Sequence, residues 1–389
     1  MTPAARLAAA IGLLDTILSG EAAERALTRW GRDNRYAGAG DRAAIRDHVF
    51  DALRRRRSLA ALGGADTGRG LILGLVREGS TDPATLFTGT GHAPPPLTPA
   101  EAAHRPPADL PLPVRADMPD WLAGRFIASL GPEAEAAMMA LRARAPVHLR
   151  VNLARITQGD AAARLAGEGI ATRPHPDCPT ALEVTENARR ISQSAAYRAG
   201  EVELQDAASQ LAVLALPLAP GDRVLDYCAG GGGKTLAMGA RARLDLVAHD
   251  ADPARMADLP PRAARAGLAV TIAATADLPG LAPFDLVLVD APCSGSGTWR
   301  RAPEAKWRLT PAALAALMRR QDAILAAAAP LVRPGGHLAY ATCSVLAEEN
   351  DDRVSAFLAR HPGWNITATL RLLPETRHDG FCLAVLARP

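Results

Sequence analysis

Residues 223–235 read RVLDYCAGGGGKT, an apolar run that ends on Asp226 and opens into Gly230, Gly231, Gly232 and Gly233. A strand, a glycine turn and a helix in that order begin the open sheets that bind nucleotides. Two ligand classes compete for such a turn. A phosphate loop of the form G-x-x-x-x-G-K-[ST] needs glycine at 228, where this chain carries Cys228. The GKT tail fits and the head does not, although FDLVLVD at Phe284–Asp290 looks like the acidic strand such ATPases use for magnesium. A Rossmann-like site instead brings the backbone of Cys228, Ala229, Gly230, Gly231, Gly232, Gly233 and Lys234 close to a nucleoside. It also places an acid about 20 residues on against the ribose hydroxyls. Asp250, which ends LVAHD, stands there. The turn alone does not separate a dinucleotide from S-adenosylmethionine.

Outward from this turn the pattern alternates. Short continuous apolar runs at 223–227, 246–249, 270–273, 286–289 and 338–341 are separated by helical segments at 235–241, 253–266 and 311–329. Such runs indicate a mostly parallel sheet covered on both faces, an α/β fold. Residues 146–210 change character: VHLRVN at 147–152 and Ala181–Val184 read as strands, with a helix over Asp160–Gly167 between them. Upstream, helices are expected over Pro3–Leu18, from about Glu21, and from an N-cap at Asp41 to about Ser58, with Arg54–Arg57 in its last turn. A proline-rich connection spans 90–119, and a helical pair broken at Gly131-Pro132 covers 121–145. The expected domains are 1–115, all helical with a linker; 116–210, a small α+β module; and 211–389, the Rossmann-like domain.

Composition narrows the class. The chain has 389 residues, 48% hydrophobic and 22% charged, which suits an ordinary folded protein with a large core. No apolar run approaches the roughly 20 residues needed to cross a bilayer. After Arg6, LAAAIGLL is interrupted by Asp15, and Leu7, Ile11, Leu14 and Leu18 recur at helical spacing, so we expect a cytoplasmic protein with a helix there. Cys178, Cys228, Cys293, Cys343 and Cys382 are widely spaced and offer neither a disulfide framework nor a zinc pattern. Residues 1–60 carry 11 arginines against 7 acids, a basic bias that points to an anionic partner such as nucleic acid.

Two cysteines sit where chemistry is expected. One segment, FDLVLVDAPCSGSGTWRRAPEAKW (284–307), places Asp290 and Cys293 at the end of the fourth strand. The other, LVRPGGHLAYATCSVLAEEN (331–350), places Cys343 at the end of the fifth. Ligands of open parallel sheets bind beyond these strand ends, so the three side chains should converge on the glycine turn. A thiolate that adds to C6 of a pyrimidine makes C5 nucleophilic, and a base must later remove the C5 proton. An ordinary thiol, with a pKa of about 8.5, is only slightly ionised at pH 7, so the site must favour thiolate. Cys178 and Cys382 read as structural, and no histidine cluster is visible.

These segments resemble the RNA cytosine-5 methyltransferases of the Nol/Nop/Sun family. The similarity runs from about Val147 to the C-terminus and includes RVN at 150–152 and QDAAS at 205–209. It implies a class I S-adenosylmethionine-dependent methyltransferase fold. The Thr-Cys-Ser cysteine, here Cys343, would be the covalent nucleophile, and the Pro-Cys-Ser cysteine, here Cys293, would assist product release. Asp290 would contact the target base. DNA methyltransferases use the Pro-Cys cysteine as nucleophile, so the second motif favours RNA. The helices containing DRAAIRDHVFDALRRRR look similar to the NusB-like RNA-binding domain of bacterial Sun/Fmu proteins, which methylate small-subunit (16S) ribosomal RNA.

Two departures from the family pattern bear on the cofactor. Glycines replace the usual alanine-proline of the turn, which loosens the loop. The acid expected after the third strand is displaced to Asp277, the candidate for the adenine end. Arg54–Arg57 are candidate phosphate contacts, and Arg300, Arg301 and Lys306 should border the substrate cleft. Trp299 and Trp307 could stack on a base or pack a core. The resemblance implies a monomer acting on RNA, with no metal and no membrane. A non-catalytic RNA-binding or ribosome-assembly factor on the same fold, and a P-loop ATPase, are the rival readings.

Overall fold

The computed structural model describes residues 1–79 and 81–389. The chain forms two units: residues 1–144 with 299–308, and residues 145–298 with 309–389.

In the second unit, a small antiparallel sheet comes first. It is built from β1 (Val147–Val151), β2 (Thr172–Pro174), β3 (Ala181–Val184) and β4 (Val202–Leu204) in the order β2-β3-β1-β4. Leu149 and Val151 face a core shared with Leu165 of the helix Gln158–Gly167. The alternate residues His148, Arg150 and Asn152 are buried polar groups on the other face.

The main sheet has seven strands: β5 (Arg223–Asp226), β6 (Asp245–Ala248), β7 (Val270–Ile272), β8 (Phe284–Asp290), β9 (Val332–Thr342), β10 (Asn365–Leu372) and β11 (Phe381–Ala387). Their order is β10-β11-β9-β8-β5-β6-β7, with β5 to β9 parallel and the last two antiparallel. Successive residues explain why these strands read as unbroken apolar runs. Leu225, Val247 and Val287 pack on one side with Leu325 and Phe357, while Val224, Leu246 and Leu286 pack on the other with Val213 and Met238. Strand order reverses between β5 and β8, so the crevice lies beyond Asp226 and Asp290.

Two expectations change here. The helix expected over 253–266 is a short turn at Pro253–Met256 followed by a helix over Leu259–Ala266. Pro260 and Pro261 lack the amide protons of a helix interior, so the helix restarts where its first turn can hold them. The closing hairpin was not anticipated, because β10 exposes most of its residues and carries little apolar signal.

The first unit is helical. Helices α1 (Pro3–Leu18), α2 (Ala23–Asp33), α3 (Ala39–Arg54), α4 (Arg56–Gly63) and α5 (Gly68–Glu78) enclose Leu14, Ile45, Leu53, Leu59 and Leu71. Asp41 is the third residue of α3 rather than its N-cap; it accepts from the Gly38 amide at 3.3 Å. The chain breaks at Arg55, so Arg54–Arg57 straddle two helices instead of ending one. The proline-rich stretch is no tether. Arg69 donates to the carbonyls of Pro95 (3.1 Å) and Pro96 (3.0 Å) and pairs with Glu101 at 2.6 Å. Buried Asp117 accepts from the Ser58 amide (2.8 Å) and from Arg142 (2.7 Å). Helices over Asp120–Leu130 and Ala134–Ala140 belong to this unit.

Residues 299–308 complete it. Trp299 packs on Phe126 with ring centroids 5.8 Å apart, and the Trp307 indole N–H donates to Leu53 O at 2.7 Å. Arg54 donates to Arg300 O at 2.6 Å. Arg300 and Lys306 are therefore core groups of the helical unit, not the rim of a cleft, and both are 1% exposed. Burial brings the Lys306 ammonium down to about 7. Among the described residues no single helix is long and apolar enough to cross a membrane.

Candidate active site

The turn after β5 carries its backbone in a form only glycine adopts readily. Gly230 has φ +49° and Gly232 φ +77°. A Cβ on Gly232 would lie 2.1 Å from Leu259 Cδ1. The glycines do not leave the turn loose, contrary to the expectation from the sequence. Asp250 accepts from the Gly230 amide at 3.0 Å, Gln205 donates to Gly233 O at 3.1 Å, and Arg262 donates to Gly231 O. Asp250 is buried, and it also pairs with Arg255 at 3.1 Å. Asp277 is exposed and accepts from the Ala274 amide at 3.3 Å, a bond that closes its own turn.

At the ends of β8 and β9 the two cysteine motifs meet. Cys293 Sγ and Cys343 Sγ are 3.4 Å apart. Lys234 Nζ lies 2.6 Å from Asp290 Oδ2 and 4.8 Å from the centre of the Phe381 ring. The hydrogen bond with Cys293 lowers the Cys343 thiol from its ordinary value; burial and Asp290 oppose this, and Lys234 and Thr298 assist. The same contact, with burial, pushes Cys293 well up. The contact therefore favours ionisation at Cys343 and keeps the proton on Cys293. Burial opposes the charge on Lys234, but Asp290, Cys343 and Asp226 outweigh it and raise the ammonium above its ordinary value. Burial, followed by Asp226, Asp290 and Asp250, pushes Cys228 up to about 12, so it stays a thiol.

A polar frame holds both loops. Glu349, fully buried, accepts from the Ser294 amide at 2.8 Å, from the Ser294 hydroxyl and from Gln321 at 3.0 Å. Gln321 also donates to Pro292 O at 3.0 Å, immediately before Cys293. Asn350 accepts from Thr342 at 2.6 Å and donates to Ser344 O at 3.0 Å, which brackets Cys343. The Gly297 amide donates to Cys343 O at 2.9 Å and ties one loop to the other. These buried bonds fix the position of the two sulfurs.

Residues 213–386 match the family described as 16S rRNA methyltransferase RsmB/F, and residues 118–190 match a Methyltr_RsmF/B-like, ferredoxin-like domain. Both matched segments are thus similar to the RsmB/F methyltransferases. The chain is 35% identical over 257 residues to ribosomal RNA small subunit methyltransferase B of Salmonella typhi, covering 64% of this chain and 60% of that protein. It is 37% identical over 254 residues to the protein of that name in Xanthomonas campestris pv. campestris, covering 63% and 58%. The chain thus aligns with about 60% of the length of these relatives. In fold, the crystal structure of PH0851 is similar over 99% of both chains, with a TM-score of 0.78 at 22% identity. A methyltransferase homolog protein from Pyrococcus horikoshii gives a TM-score of 0.61 at 23% identity, over 72% of this chain and 98% of that one.

Within the methyltransferase domain, Asp290, Cys293 and Cys343 come together by the glycine turn as the sequence suggested, Lys234 of that turn pairs with Asp290, and Asp250 meets the turn. The P-loop reading loses its lysine, which is committed to Asp290. Sequence reasoning missed Glu349, Asn350, Gln321 and Arg262. The AEEN segment was the one available signal, since acids and amides rarely follow a buried strand without a polar role. It also missed a histidine cluster: the His148 and His175 rings lie 5.4 Å apart, and those of His175 and His378 lie 6.5 Å apart. No group of His, Cys, Asp or Glu among the described residues has a metal-binding arrangement.

Proposed function

We propose that the protein transfers a methyl group from S-adenosylmethionine to C5 of a cytosine in small-subunit (16S) ribosomal RNA, through a covalent bond between Cys343 and C6. The observation that carries this reading is the contact at 3.4 Å between a thiol lowered in pKa and one raised, beside the Lys234–Asp290 pair.

The strand-end turn fits a nucleoside cofactor. Gly230 to Gly233 carry no side chains of their own, so the turn offers bare backbone, and a Cβ on Gly232 would strike Leu259. Asp250 offers a fixed carboxylate to ribose hydroxyls, and Asp226 Oδ1 is buried without a partner among the described residues. When bound, S-adenosylmethionine supplies an electrophilic methyl group. Asp277 remains the candidate for the adenine end.

The chain's own groups divide the remaining work. Cys343 attacks C6 as thiolate, and the electron pair that moves into the ring is what makes C5 reactive. Asp290 faces the ring as its hydrogen-bond partner, and Lys234 pairs with that carboxylate and favours the thiolate of Cys343. After methylation, the C5 proton must leave so that the C6–S bond can break with Cys343 departing as thiolate. Cys293 suits that step. Its raised pKa comes first from the hydrogen bond with Cys343, and that partner is neutralised once Cys343 is bound to carbon. Cys293 then becomes easier to ionise: its thiol proton passes to solvent, and the thiolate takes the C5 proton as Cys343 leaves.

The test uses Cys293→Ala mixed with S-adenosylmethionine and total ribosomal RNA from the protein's own source. A slow band on a denaturing gel that disappears in Cys293→Ala/Cys343→Ala establishes the adduct, and sequencing its RNA locates the cytosine. An enzyme that methylates normally with Cys343→Ala would exclude the nucleophile.

A further inference from the structure

Arginine density in the sequence draws attention to Arg54–Arg57, yet these four are matched by carboxylates. Arg54 pairs with Asp51, Arg55 with Glu78, Arg56 with Asp66 and Arg57 with Asp120. The open cations lie elsewhere, where α2 meets α3. A cleft of about 570 Å³ there is lined by Arg32, Arg35, Arg42 and Arg46, with Trp30 in its wall. Arg46 is forked onto Glu24 and lies 4.7 Å from the centre of the Phe50 ring. Arg42 uses Nε on Ala37 O at 2.9 Å. Among the described residues no ion pair engages Arg32 or Arg35.

The connection between the two helices presents an aromatic ring beside this cleft. Tyr36 is 74% exposed. Its backbone surroundings are nevertheless held. Asn34 donates to Trp30 O at 2.9 Å, the Ala37 amide donates to Asn34 O at 3.0 Å, and Arg42 grips Ala37 O. The Tyr36 hydroxyl donates to Asn34 Oδ1 at 3.0 Å. Tyr36 and Trp30 also border a second cleft of about 670 Å³, walled by Ala5, Ala9 and Gly91 with His92. Since Trp30 lines both, a cationic trough adjoins one rimmed by aromatic rings.

We propose that this double cleft docks single-stranded RNA, with arginines on successive phosphates and an unpaired base stacked on Tyr36. This rests on the RNA substrate read above and names where the helical unit would hold it. An acidic protein segment would satisfy the cations but has no use for a braced, exposed ring beside a void wide enough for a base. Bases stack on such rings whatever their sequence, and guanidinium groups follow the backbone. A duplex keeps its base faces covered, so the ring selects unpaired strand.

The test measures anisotropy of a fluorescein-labelled single-stranded RNA of roughly 20 nucleotides, sized to span several contacts. It is titrated with the full chain across about 50–300 mM salt. Arg32→Gln/Arg35→Gln should weaken binding at least about tenfold and flatten the logarithmic salt slope by about 1.4, or about 0.7 per phosphate. Tyr36→Ala should weaken binding about tenfold with the slope unchanged. Arg56→Gln/Arg57→Gln, an equal loss of charge, should change neither. Wild-type affinity and slope in the first two variants would overturn the proposal. So would equal affinity for duplex RNA, or displacement of the RNA by polyglutamate at matched charge, which would favour an acidic protein. Failure here is separable from failure of the chemistry. Binding through Tyr36 without a Cys343 adduct leaves the surface standing, whereas an adduct formed with affinity indifferent to these variants removes the surface alone.

Discussion

Cys228 and Cys343 occupy matching places at the carboxyl ends of parallel strands, each within reach of Asp290's charge, yet they are opposite in character. Among the described residues Cys228 has acids around it and no donor to its sulfur, so burial and those charges push it up to about 12. Cys343 faces the same aspartate but receives a hydrogen bond from Cys293, with Lys234 nearby, and its pKa falls. Position on the sheet makes a cysteine available for chemistry. Its immediate donors decide whether it is a nucleophile.

The comparison is broken most directly by turnover. Cys343→Ala should lower methyl transfer from radiolabelled S-adenosylmethionine by on the order of 10⁴-fold or more, as loss of a covalent nucleophile does, while Cys228→Ala stays within about twofold. Comparable losses in both would end the distinction. Iodoacetamide sharpens it next. At pH 8 the Cys343 peptide should label on the order of 10³-fold faster than the Cys228 peptide by mass spectrometry, because a thiol near 12 is almost wholly protonated.

Asp226 gives a smaller effect. Burial, opposed by the Thr235 hydroxyl at 2.7 Å, pushes this carboxyl up to about 6. The unfolded chain therefore ionises at lower pH than the folded one, and wild-type stability should fall as pH rises from about 4 to about 6. The full cost above that range is about 3 kcal/mol. Asp226→Asn should remove this decline in urea unfolding and bring the Cys228 thiol down as well. The smallest effect belongs to Lys234→Met, which should slow alkylation of Cys343 at pH 7, because a cation that favours its thiolate is lost. An unchanged rate would leave Cys293 as the sole cause of the lowered thiol.

Much of the sheet was legible because it follows local rules. Apolar runs such as Leu286–Val289 are buried on both faces, and the glycines of the turn mark its bend. Cys293 and Cys343 were legible because each follows a strand within a short motif. What escaped depends on partners distant in sequence. Glu349 matters through Ser294, and Arg54–Arg57 lose their availability to Asp51, Glu78, Asp66 and Asp120. Arg300 and Lys306 read as cleft residues because they follow Cys293 in sequence, but the chain carries them into helical packing. His148, His175 and His378 lie far apart along the chain, so no spacing rule could group them.

That excursion of residues 299–308 has a consequence for synthesis. The helical unit's first 144 residues leave the ribosome well before the segment that fills the place beside Phe126 and bonds to Leu53 O. At roughly 5–20 residues per second, the delay is on the order of 10–30 s. The nascent helices must wait through translation of the small sheet and most of the parallel strands before their last piece arrives. A fragment cut after residue 144 would never receive it.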